Sequence, residues 1–522
     1  MSWLEFALLC IPLLPALAGL FPIRSARAAS TVSVGALLLS TAAAAAAGWG
    51  AFHAPAPLGV RFALGPSFSL GLMADRTSAT FALLITSLGW CVLRFSARYL
   101  QGEARHASFL RRVSLTLAAV TTLCLAGDLA VLVAAWVGMS LLLHGLLVHY
   151  PERPQAQRAA KTKFVFSRLA ELCLLAAVML LHARLGTLEL PELFRRAAVA
   201  PEGTLRLPSL LLVGCAVLKS AQFPFHTWLP DTMETPTPVS ALMHAGIVNA
   251  GGFLMIRLCP VIGSCPAALN ALVLTGTITA VFGAVVMLTQ PSVKRSLAYS
   301  TIAQMGFMLL ECGLGLFGLA LIHILAHSVY KAHAFLRAGS AVKAAPRALV
   351  PLRTPALVGG VAAAVAMVLG AGWLLALPTH AGSLVMGVVL ASALAYGLAR
   401  HWSVARGFAA LAGLGLAAGF ALAASGLHRL SDQLLPGLPP APVSLLAATF
   451  AAAAFLGLFT LQALLWRSAA SPFGRALYVH ALNGFYVGAL STRLLERCWP
   501  APTIKPYPTV EITALEGGWR ES

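Results

Sequence analysis

The chain has 522 residues, of which 59% are hydrophobic and only 10% are charged, and its mean hydropathy is +0.84. Soluble domains usually have about 25% charged residues, so this composition excludes an ordinary soluble protein and indicates a membrane protein. The net charge is +19, but the basic residues fall in alternate loops and not in one patch, which argues against a nucleic-acid partner.

Apolar runs close to 20 residues long recur from end to end of the chain. Each can cross the hydrocarbon layer of a bilayer, which is about 30 Å thick. We therefore predict an all-α polytopic membrane protein with about fifteen transmembrane helices. Their expected positions are residues 3–21, 31–51, 78–95, 115–126, 129–148, 164–181, 207–222, 239–257, 267–288, 297–311, 315–336, 356–377, 384–399, 407–424 and 445–465.

The first apolar run has no basic segment before it and no convincing cleavage site after it, so we predict a retained transmembrane helix and not a signal peptide. The nine cysteines are scattered, without a C-x-x-C pair or a Cys/His cluster at ligand spacing. We expect them to be small apolar residues within helices, and we expect no metal or other cofactor in this chain.

The lysines and arginines predict the orientation of the chain in the membrane. If Met1 is outside, the loops after odd-numbered spans contain Arg24, Arg27, Arg98, Arg105, Arg111, Arg112, Arg153, Arg158, Lys161, Lys163, Lys294, Arg295, Lys343, Arg347, Arg353, Arg400, Arg406, Arg467 and Arg475. The opposite loops are sparse, and their main cluster is Arg195, Arg196 and Arg206. The positive-inside rule therefore places Met1 outside and Ser522 in the cytoplasm.

Lys219 comes near the end of the predicted seventh span, shortly before Pro224. Proline removes a backbone donor and blocks helix continuation, so the helix should break close to this point. Irregular backbone at membrane depth is tolerated only within protein or beside water. Lys219 is therefore a candidate titratable group of an ion path. The alternative is a lysine that extends to the membrane surface.

The segment "LIHILAHSVYKAHAFLRAG" contains His323, His327 and Lys331 at positions i, i+4 and i+8. This spacing puts the three side chains on one helix face. Three titratable groups on one face of a membrane helix predict a proton relay. His244, in the predicted span 239–257, is a further candidate, and its alternative role is that of a hydrogen-bonded packing residue.

Charged residues also mark the fifth and sixth spans. Arg168 and Glu171 lie three residues apart on one helix face, as either a structural ion pair or part of a proton input. Asp128 opens the fifth span and is either part of the ion path or an interfacial helix cap. Lys294 and Arg295 come at a cytoplasmic helix start and are most simply topology anchors.

Three segments resemble a known family: "GCAVLKSAQFPFHTWLPDTMETPTPVSALMHAG", "VKRSLAYSTIAQMGFM" and "HILAHSVYKAHAFLRAGS". They are similar to the antiporter-like, proton-translocating subunits of respiratory NADH:quinone oxidoreductase and of multisubunit cation/proton antiporters. The resemblance covers roughly residues 98–340 and implies two inverted five-helix repeats, each with a broken helix and a central lysine. It matches Lys219 and Lys331 to the central lysines, and the other matched positions are His244, His323, His327, Arg168 and Glu171.

This resemblance implies a division of the chain into five parts. They are N-terminal transmembrane helices (1–110), a first repeat (111–260), a second repeat (261–400), C-terminal transmembrane helices (401–470), and an amphipathic helix with a cytoplasmic tail for partner docking (471–522). The sequence departs from the family at two places. Val137 stands where the family has a glutamate after a tryptophan, and no lysine occurs between Lys343 and Lys505. The chain is also too short for the long lateral helix of the largest respiratory subunit.

The segment "RALYVHALNGFYVGALSTRLLERCWP" is similar to the C-terminal region of the membrane subunit of DAB-type inorganic carbon transporters. In that family a short antiporter-like membrane subunit, DabB, works with a large cytoplasmic zinc protein, DabA, which is related to β-carbonic anhydrases. The resemblance implies that an H⁺ or Na⁺ gradient, acting through this chain in the bacterial inner membrane, drives hydration of CO2 by the zinc partner. The polar end "TIKPYPTVEITALEGGWRES" is expected to contact that partner.

Two other readings of the sequence stay open. The chain is alternatively a proton-pumping subunit of a quinone- or hydrogenase-linked complex or of a cation/proton antiporter. It is otherwise a structural membrane anchor, which the missing glutamate and the missing second-half lysine favour. An autonomous enzyme is the least favoured reading, because the sequence shows no nucleotide-binding loop, metal cluster or nucleophile constellation.

Overall fold

The computed structural model describes residues 2–54, 56–63, 69–339, 352–435, 441–468 and 471–498. In the first half the helices are α1 (Trp3–Leu20), α2 (Ala26–His53), α3 (Arg76–Tyr99), α4 (His106–Cys124), α5 (Leu129–Leu147), α6 (Pro154–Leu185), α7 (Leu190–Ala197), α8 (Arg206–Lys219), α9 (Trp228–Asp231), α10 (Thr237–Ala245) and α11 (Ala250–Arg257). They are followed by α12 (Cys259–Ile262), α13 (Pro266–Met287), α14 (Val293–Gly313), α15 (Phe317–Leu336), α16 (Thr354–Leu374), α17 (Ala381–Val404), α18 (Phe408–Leu434), α19 (Leu445–Ser468), α20 (Pro472–Leu482) and α21 (Val487–Cys498).

The predicted helical, polytopic fold is confirmed. Among the described residues, thirteen helical segments are long and apolar enough to cross a membrane. The other two predicted spans, 207–222 and 297–311, correspond to α8 and α14. Helix α8 has only 14 residues, about 21 Å of helix, and stops inside the predicted span. Helix α14 is long enough but carries Lys294, Arg295 and Glu311.

The break predicted after the seventh span is present. Helix α8 ends at Lys219, and the chain stays irregular through Pro224 until α9 begins at Trp228. A second, unpredicted interruption divides the span 239–257 between α10 and α11. Its backbone turns at Gly246 and forms a short 3-10 turn from Ile247 to Asn249. The surrounding segment Thr237–Arg257 is completely buried, so this interruption lies at the centre of the helix bundle.

The broken helix that the resemblance implied for the second repeat is not found in the described part of the chain. The predicted second repeat, residues 261–400, contains α13, α14, α15, α16 and α17, and each of these helices runs without interruption. The physical reason is visible in their sequences: the only prolines in these five helices are Pro266 and Pro355, which occupy the first turns of α13 and α16, where a missing N–H costs nothing. The repeats and the domain boundaries given above stay predictions.

A two-stranded antiparallel ribbon was not predicted, because the sequence was searched for membrane spans and these strands lie between two of them. Strands β1 (Leu58–Ala63) and β2 (Ser69–Ala74) pair in register from Leu58 with Ala74 to Ala63 with Ser69. The backbone N–H of Gly127 donates to the carbonyl of Gly71 at 2.9 Å. This hydrogen bond holds the ribbon against the N-terminal end of α5.

Glycines allow α13 and α14 to pack at very short range. A Cβ atom at Gly306 would lie 2.5 Å from the backbone nitrogen of Ala280 and 2.7 Å from the carbonyl oxygen of Gly276. Gly283 similarly approaches the backbone of Ala303. This contact fixes α14, which in turn presents a row of polar groups to α15.

The C-terminal region forms two short helices, α20 and α21, where one amphipathic helix was predicted. The chain turns between them at Gly484, whose φ of +56° suits glycine. The Gln290 amide donates to the carbonyl of Leu482 at 3.3 Å, and the hydroxyls of Thr227 and Ser491 are 3.1 Å apart. Residues 499–522, with the predicted partner-docking tail, and the basic residues Lys343 and Arg347 lie outside the described residues.

Candidate functional site

Lys219 is the last residue of α8 and is buried, with 4% of its surface exposed. Among the described residues its Nζ has no hydrogen-bond partner, and it lies 5.2 Å from the centre of the Trp136 ring. A cation over an indole face is stabilised by the ring quadrupole, by about 2 kcal/mol or more when water is excluded. Since Val137 replaces the expected glutamate, the indole face is the group of α5 that meets this lysine.

An acidic partner for Lys219 comes from α6. Glu171 interacts electrostatically with Lys219, and its carboxylate accepts a hydrogen bond of 2.6 Å from Arg168. The predicted ion pair is therefore present on one helix face. The pair also extends beyond α6, because the Glu171 carboxylate interacts electrostatically with Lys219 of α8.

Lys163 is a site residue that sequence reasoning missed. It was assigned to a cytoplasmic loop, but α6 begins at Pro154, ten residues before the predicted span, and Lys163 is only 2% exposed. Its Nζ donates to the carbonyl of Ser140 at 2.7 Å and to the Ser140 hydroxyl at 3.2 Å. A sequence signal was available: Lys163 and Glu171 are eight residues apart and so share a helix face.

Trp136, Ser140, Lys163, Arg168, Glu171 and Lys219 form what we term the first cluster. Its centre is the Ser140 hydroxyl, which also accepts a hydrogen bond from Arg168 at 3.2 Å. Two of the three basic groups, Lys163 and Arg168, thus donate to the hydroxyl of one serine. This arrangement couples the charges of the cluster, because Lys163 and Arg168 share one hydroxyl and Arg168 also binds the Glu171 carboxylate.

The second cluster contains His244, Glu311, His323, His327 and Lys331 together with polar groups of α14. Lys331 is completely buried, and its Nζ donates to the Ser300 hydroxyl at 2.8 Å and to the carbonyl of Leu297 at 3.1 Å. Helix α14 therefore supplies the hydrogen bonds that compensate for the burial of this lysine.

Glu311 is the acidic member of the second cluster and was not predicted as a site residue. Its carboxylate lies 2.8 Å from Nδ1 of His323, and the other ring nitrogen of His323 lies 2.8 Å from the side-chain oxygen of Gln304. Glu311 is almost fully buried. The sequence signal was its position at the end of a predicted span, where a carboxylate needs a partner.

The predicted histidine face of α15 is confirmed as a spatial arrangement. The rings of His323 and His327 are 6.2 Å apart, and His327 interacts electrostatically with Lys331 and His244. His244 lies 3.0 Å from the Thr301 hydroxyl and stacks on Phe335 at 4.3 Å. Neither ring nitrogen of His327 has a hydrogen-bond partner within the described part of the chain.

Polar groups connect the regions around the two clusters. Ser220, next to Lys219, donates to the carbonyl of Val248 at 2.7 Å. In the same interrupted segment, the amide of Asn249 donates to Ser328 of α15 at 2.9 Å. A cavity of about 20 Å³ borders Asn249, which is room for about one water molecule. The interruption at Gly246 makes this connection possible, because it frees backbone carbonyls at the bundle centre.

The hydrogen bonds of Asp128 do not connect it to either cluster. Its carboxylate accepts from the backbone N–H of Val131 at 2.8 Å and of Gly71 at 2.7 Å. It caps α5 and ties that helix to the ribbon, as the alternative interpretation of this residue predicted. Lys294, interpreted as a topology anchor, donates to the Thr237 hydroxyl at 3.0 Å.

A further charge pair, unpredicted, joins the half-buried Asp75 at the start of α3 to the buried Arg257 at the end of α11. Arg257 donates to the carboxylate of Asp75, which caps α3 through Ser78. Burial disfavours the charged carboxylate, but the Arg257 guanidinium and the hydrogen bonds from Ser78 outweigh it and hold the pKa of Asp75 below its ordinary value. Within the described ranges, no group of three His, Cys, Asp or Glu side chains could hold a metal ion.

A helical membrane bundle with two buried titratable clusters, each containing a lysine and a carboxylate, defines the class of ion-translocating membrane subunits. Residues 126–411 match the transmembrane family described as NADH:quinone oxidoreductase/Mrp antiporter, and residues 63–110 match the N-terminal family of complex I chain 5. The first match covers more than half of the chain. This protein belongs to the NADH:quinone oxidoreductase/Mrp antiporter family, whose members are cation-translocating membrane subunits.

Individual proteins agree with this assignment. The chain is 36% identical over 478 residues to the "Probable inorganic carbon transporter subunit DabB2" of Halothiobacillus neapolitanus, covering 86% of this chain and 83% of that one. It is 42% identical over 299 residues to the corresponding subunit DabB of Hydrogenovibrio crunogenus, covering 56% of this chain and 58% of the relative. A solved Mrp complex from Dietzia sp. shares the fold, with a TM-score of 0.66 at 23% identity, over 95% of this chain and 59% of that chain.

Proposed function

We propose that this chain conducts cations, with H⁺ as the favoured ion, and couples their flow to the uptake of inorganic carbon. The observation that carries the proposal is the burial of Lys219 and Lys331 in two clusters, each with its own carboxylate, on either side of an interrupted central helix. Buried lysines are unfavourable for folding, so their presence at two matched places supports a role in ion movement. The similarity to subunits named for inorganic carbon transport supports the choice of substrate.

The partner in this proposal is a large cytoplasmic zinc protein of the DabA type, related to carbonic anhydrases. The relatives are named as subunits, which supports a complex. One charge that crosses the membrane releases about 2.3 kcal/mol per 100 mV. Directed to the gating of the partner's site, this energy biases a reversible hydration of CO2 toward bicarbonate. The chain lies in the bacterial inner membrane with its N-terminus outside and its C-terminus in the cytoplasm.

The proposal is tested by deletion and complementation. Cells that lack this chain should require elevated CO2, and rescue should need both this chain and its partner. A protonophore should abolish uptake of labelled inorganic carbon if H⁺ is the coupling ion, and a sodium ionophore should do so if Na⁺ is. Uptake that survives collapse of both gradients would overturn the proposal and favour a membrane anchor.

A second function is favoured by the family match and by the likeness to the Mrp fold: a pump module of a quinone-linked complex or of a cation/proton antiporter. Purification of the native complex from membranes distinguishes the two. A large partner that contains stoichiometric zinc supports carbon uptake. Dehydrogenase or antiporter subunits in the purified complex support the pump module instead.

A further inference from the structure

We propose that α20 and α21 lie in the leaflet that the predicted topology makes cytoplasmic and bind anionic lipids there, with their apolar side chains among the acyl chains. With 11 and 12 residues, both helices are too short to cross a bilayer. The sequence pattern predicted that this region docks a cytoplasmic partner, whereas its depth, its apolar surface and its charge favour a lipid surface. This placement does not depend on the proposed ion conduction.

The start of α20 is held close to the membrane by α19. Helix α19 is long and apolar enough to cross the bilayer, and it ends at Ser468. Helix α20 begins at Pro472, four residues later. Four residues span at most about 14 Å, so α20 begins within this distance of the end of α19. The predicted topology places that end on the cytoplasmic side.

Phe282 of α13 indicates the depth of the turn between α20 and α21. Helix α13 has 22 residues, which is about 33 Å of helix and close to the thickness of the hydrocarbon layer. Phe282 precedes the last residue, Met287, by five positions, or about 7.5 Å. Its side chain leans toward the start of the helix and so away from the cytoplasmic end. Because the ring of Phe485 is 5.9 Å from that of Phe282, the turn lies beside the last turns of α13 and not beyond its end.

Contacts with α14 and with the irregular segment after α8 hold the same element. A Cβ atom at Gly484 would lie 2.9 Å from the hydroxyl of Tyr299, which follows the first residue of α14 by six positions, or about 9 Å. The hydroxyls of Thr227 and Ser491 are 3.1 Å apart. One side of α20 and α21 therefore faces the bundle. Its level is that of interfacial amphipathic helices, which lie roughly 5–10 Å into the boundary between headgroups and acyl chains.

The other side of this element exposes apolar and aromatic side chains. Leu490 and Leu494 of α21 are four residues apart, so they share one helix face, and both are more than half exposed. Further exposed side chains of α20 and of the turn are Phe473, Tyr478, Val479, Phe485 and Tyr486. Acyl chains remove such side chains from water, and tyrosine is typical of the membrane interface because its ring is apolar and its hydroxyl is polar.

The charge of this region favours anionic lipids. Residues 471–498 contain three arginines, Arg475, Arg493 and Arg497, and one acidic residue, Glu496. The three arginine side chains are exposed. Basic residues next to a membrane are attracted to the anionic lipids of the cytoplasmic leaflet, and guanidinium groups bind phosphate well. A soluble partner would have to enter the headgroup layer to cover the same face.

Spin labels on the complete complex in nanodiscs test the placement. In a chain whose native cysteines are replaced by alanine, Leu490→Cys carries a nitroxide, and its collisions with dissolved oxygen and with a water-soluble nickel chelate are measured. The label should collide more with oxygen, because oxygen concentrates among acyl chains. The matched control, Gln101→Cys in an exposed loop, should collide more with the chelate.

Two results at Leu490 would overturn the proposal. A label that collides mainly with the chelate would place α21 in water. A label that is shielded from both reagents would show that a protein covers this face.

Lipid selectivity provides a second measurement, in a chain that keeps its native cysteines. Arg475→Gln combined with Arg493→Gln should lower the preference of the protein for spin-labelled phosphatidylglycerol over phosphatidylcholine, because two charges that attract the anionic headgroup are lost. Arg475→Lys combined with Arg493→Lys keeps both charges and should retain the preference. Equal selectivity in wild type and the glutamine pair would exclude anionic lipids as the ligand, even if the cysteine-free chain fails to assemble.

Discussion

Lys219 lies over the face of Trp136 of α5, with its Nζ 5.2 Å from the ring centre. It does not lie beside a carboxylate of α5. The related pumps that the sequence resembles have a glutamate where this chain has Val137. Here the acidic group has a different source, because Glu171 of α6 acts on Lys219. The acidic group that acts on this central lysine therefore belongs to α6, while α5 contributes the Trp136 ring.

We expect the two central lysines to be needed for function and not for folding. Lys219→Ala and Lys331→Ala should each leave the complex assembled and abolish gradient-driven carbon uptake. Removal of a buried lysine relieves a desolvation cost, but a methyl group cannot carry a proton. Uptake and complex assembly are measured in the same membranes, with Lys294→Ala as the control. Wild-type uptake in either alanine variant would exclude that lysine from the mechanism.

Glu311 should support ion movement through His323. Glu311→Gln keeps the size of the side chain but removes the negative charge beside Nδ1 of His323, so proton flux should fall while the protein stays folded. Glu311→Ala should in addition lower stability by about 1–3 kcal/mol, because His323 loses its buried hydrogen-bond partner. Flux and thermal stability of the purified variants separate the two effects. Equal flux in wild type and Glu311→Gln would show that the charge is not used.

The close packing of α13 and α14 should be intolerant of added volume. Gly306→Val places a side chain against the backbone of Ala280, which should lower stability by about 1–3 kcal/mol and move α14 away from Lys331. Gly370→Ala is the matched control, since a Cβ there has no neighbour within 4 Å and the substitution favours the helix. Thermal unfolding in detergent measures the difference, and equal melting of both variants would contradict the close-packing argument.

The Asp75–Arg257 pair should make the fold sensitive to acid. A carboxylate with a lowered pKa contributes stability above its ordinary pKa of 3.8, and this contribution is lost as the pH falls through the folded-state pKa. Asp75→Asn should therefore lower the free energy of unfolding at pH 7 by about 3 kcal/mol, because Arg257 stays buried without its counter-charge. The melting temperature should fall with it. Below about pH 4 the difference from wild type should shrink. A stability difference between wild type and Asp75→Asn that stays constant across this range would show that the pKa of Asp75 does not change on folding.

The orientation inferred from the basic loops can be tested by cysteine labelling. In a variant without the exposed Cys91, Glu202→Cys should react with a membrane-impermeant reagent in intact cells, and Gln101→Cys should react only after lysis. Glu202 and Gln101 are both exposed, and they lie at opposite ends of the bundle in the predicted topology. The reverse labelling pattern would invert the orientation.

Sequence patterns predicted the helices well because hydropathy and the helical period act locally. They also predicted the break after Lys219, since proline acts on its own helix. They did not predict the interruption at Gly246, which depends on how closely neighbouring helices approach, or the burial of Lys163, which depends on where α6 begins. Glu311 was missed for a similar reason: its partner, His323, is on another helix, and one sequence does not show which helix faces pair.

The contact between Thr227 and Ser491 has a mechanical consequence. Thr227 lies eight residues after Lys219, on the irregular stretch that leaves α8, and its hydroxyl is 3.1 Å from a residue of α21. The C-terminal helices are therefore hydrogen-bonded to the irregular segment that begins at the central lysine. If a bound protein displaces α21, this contact carries the displacement toward Lys219, and reciprocal coupling then requires that a change of charge on Lys219 acts on α21.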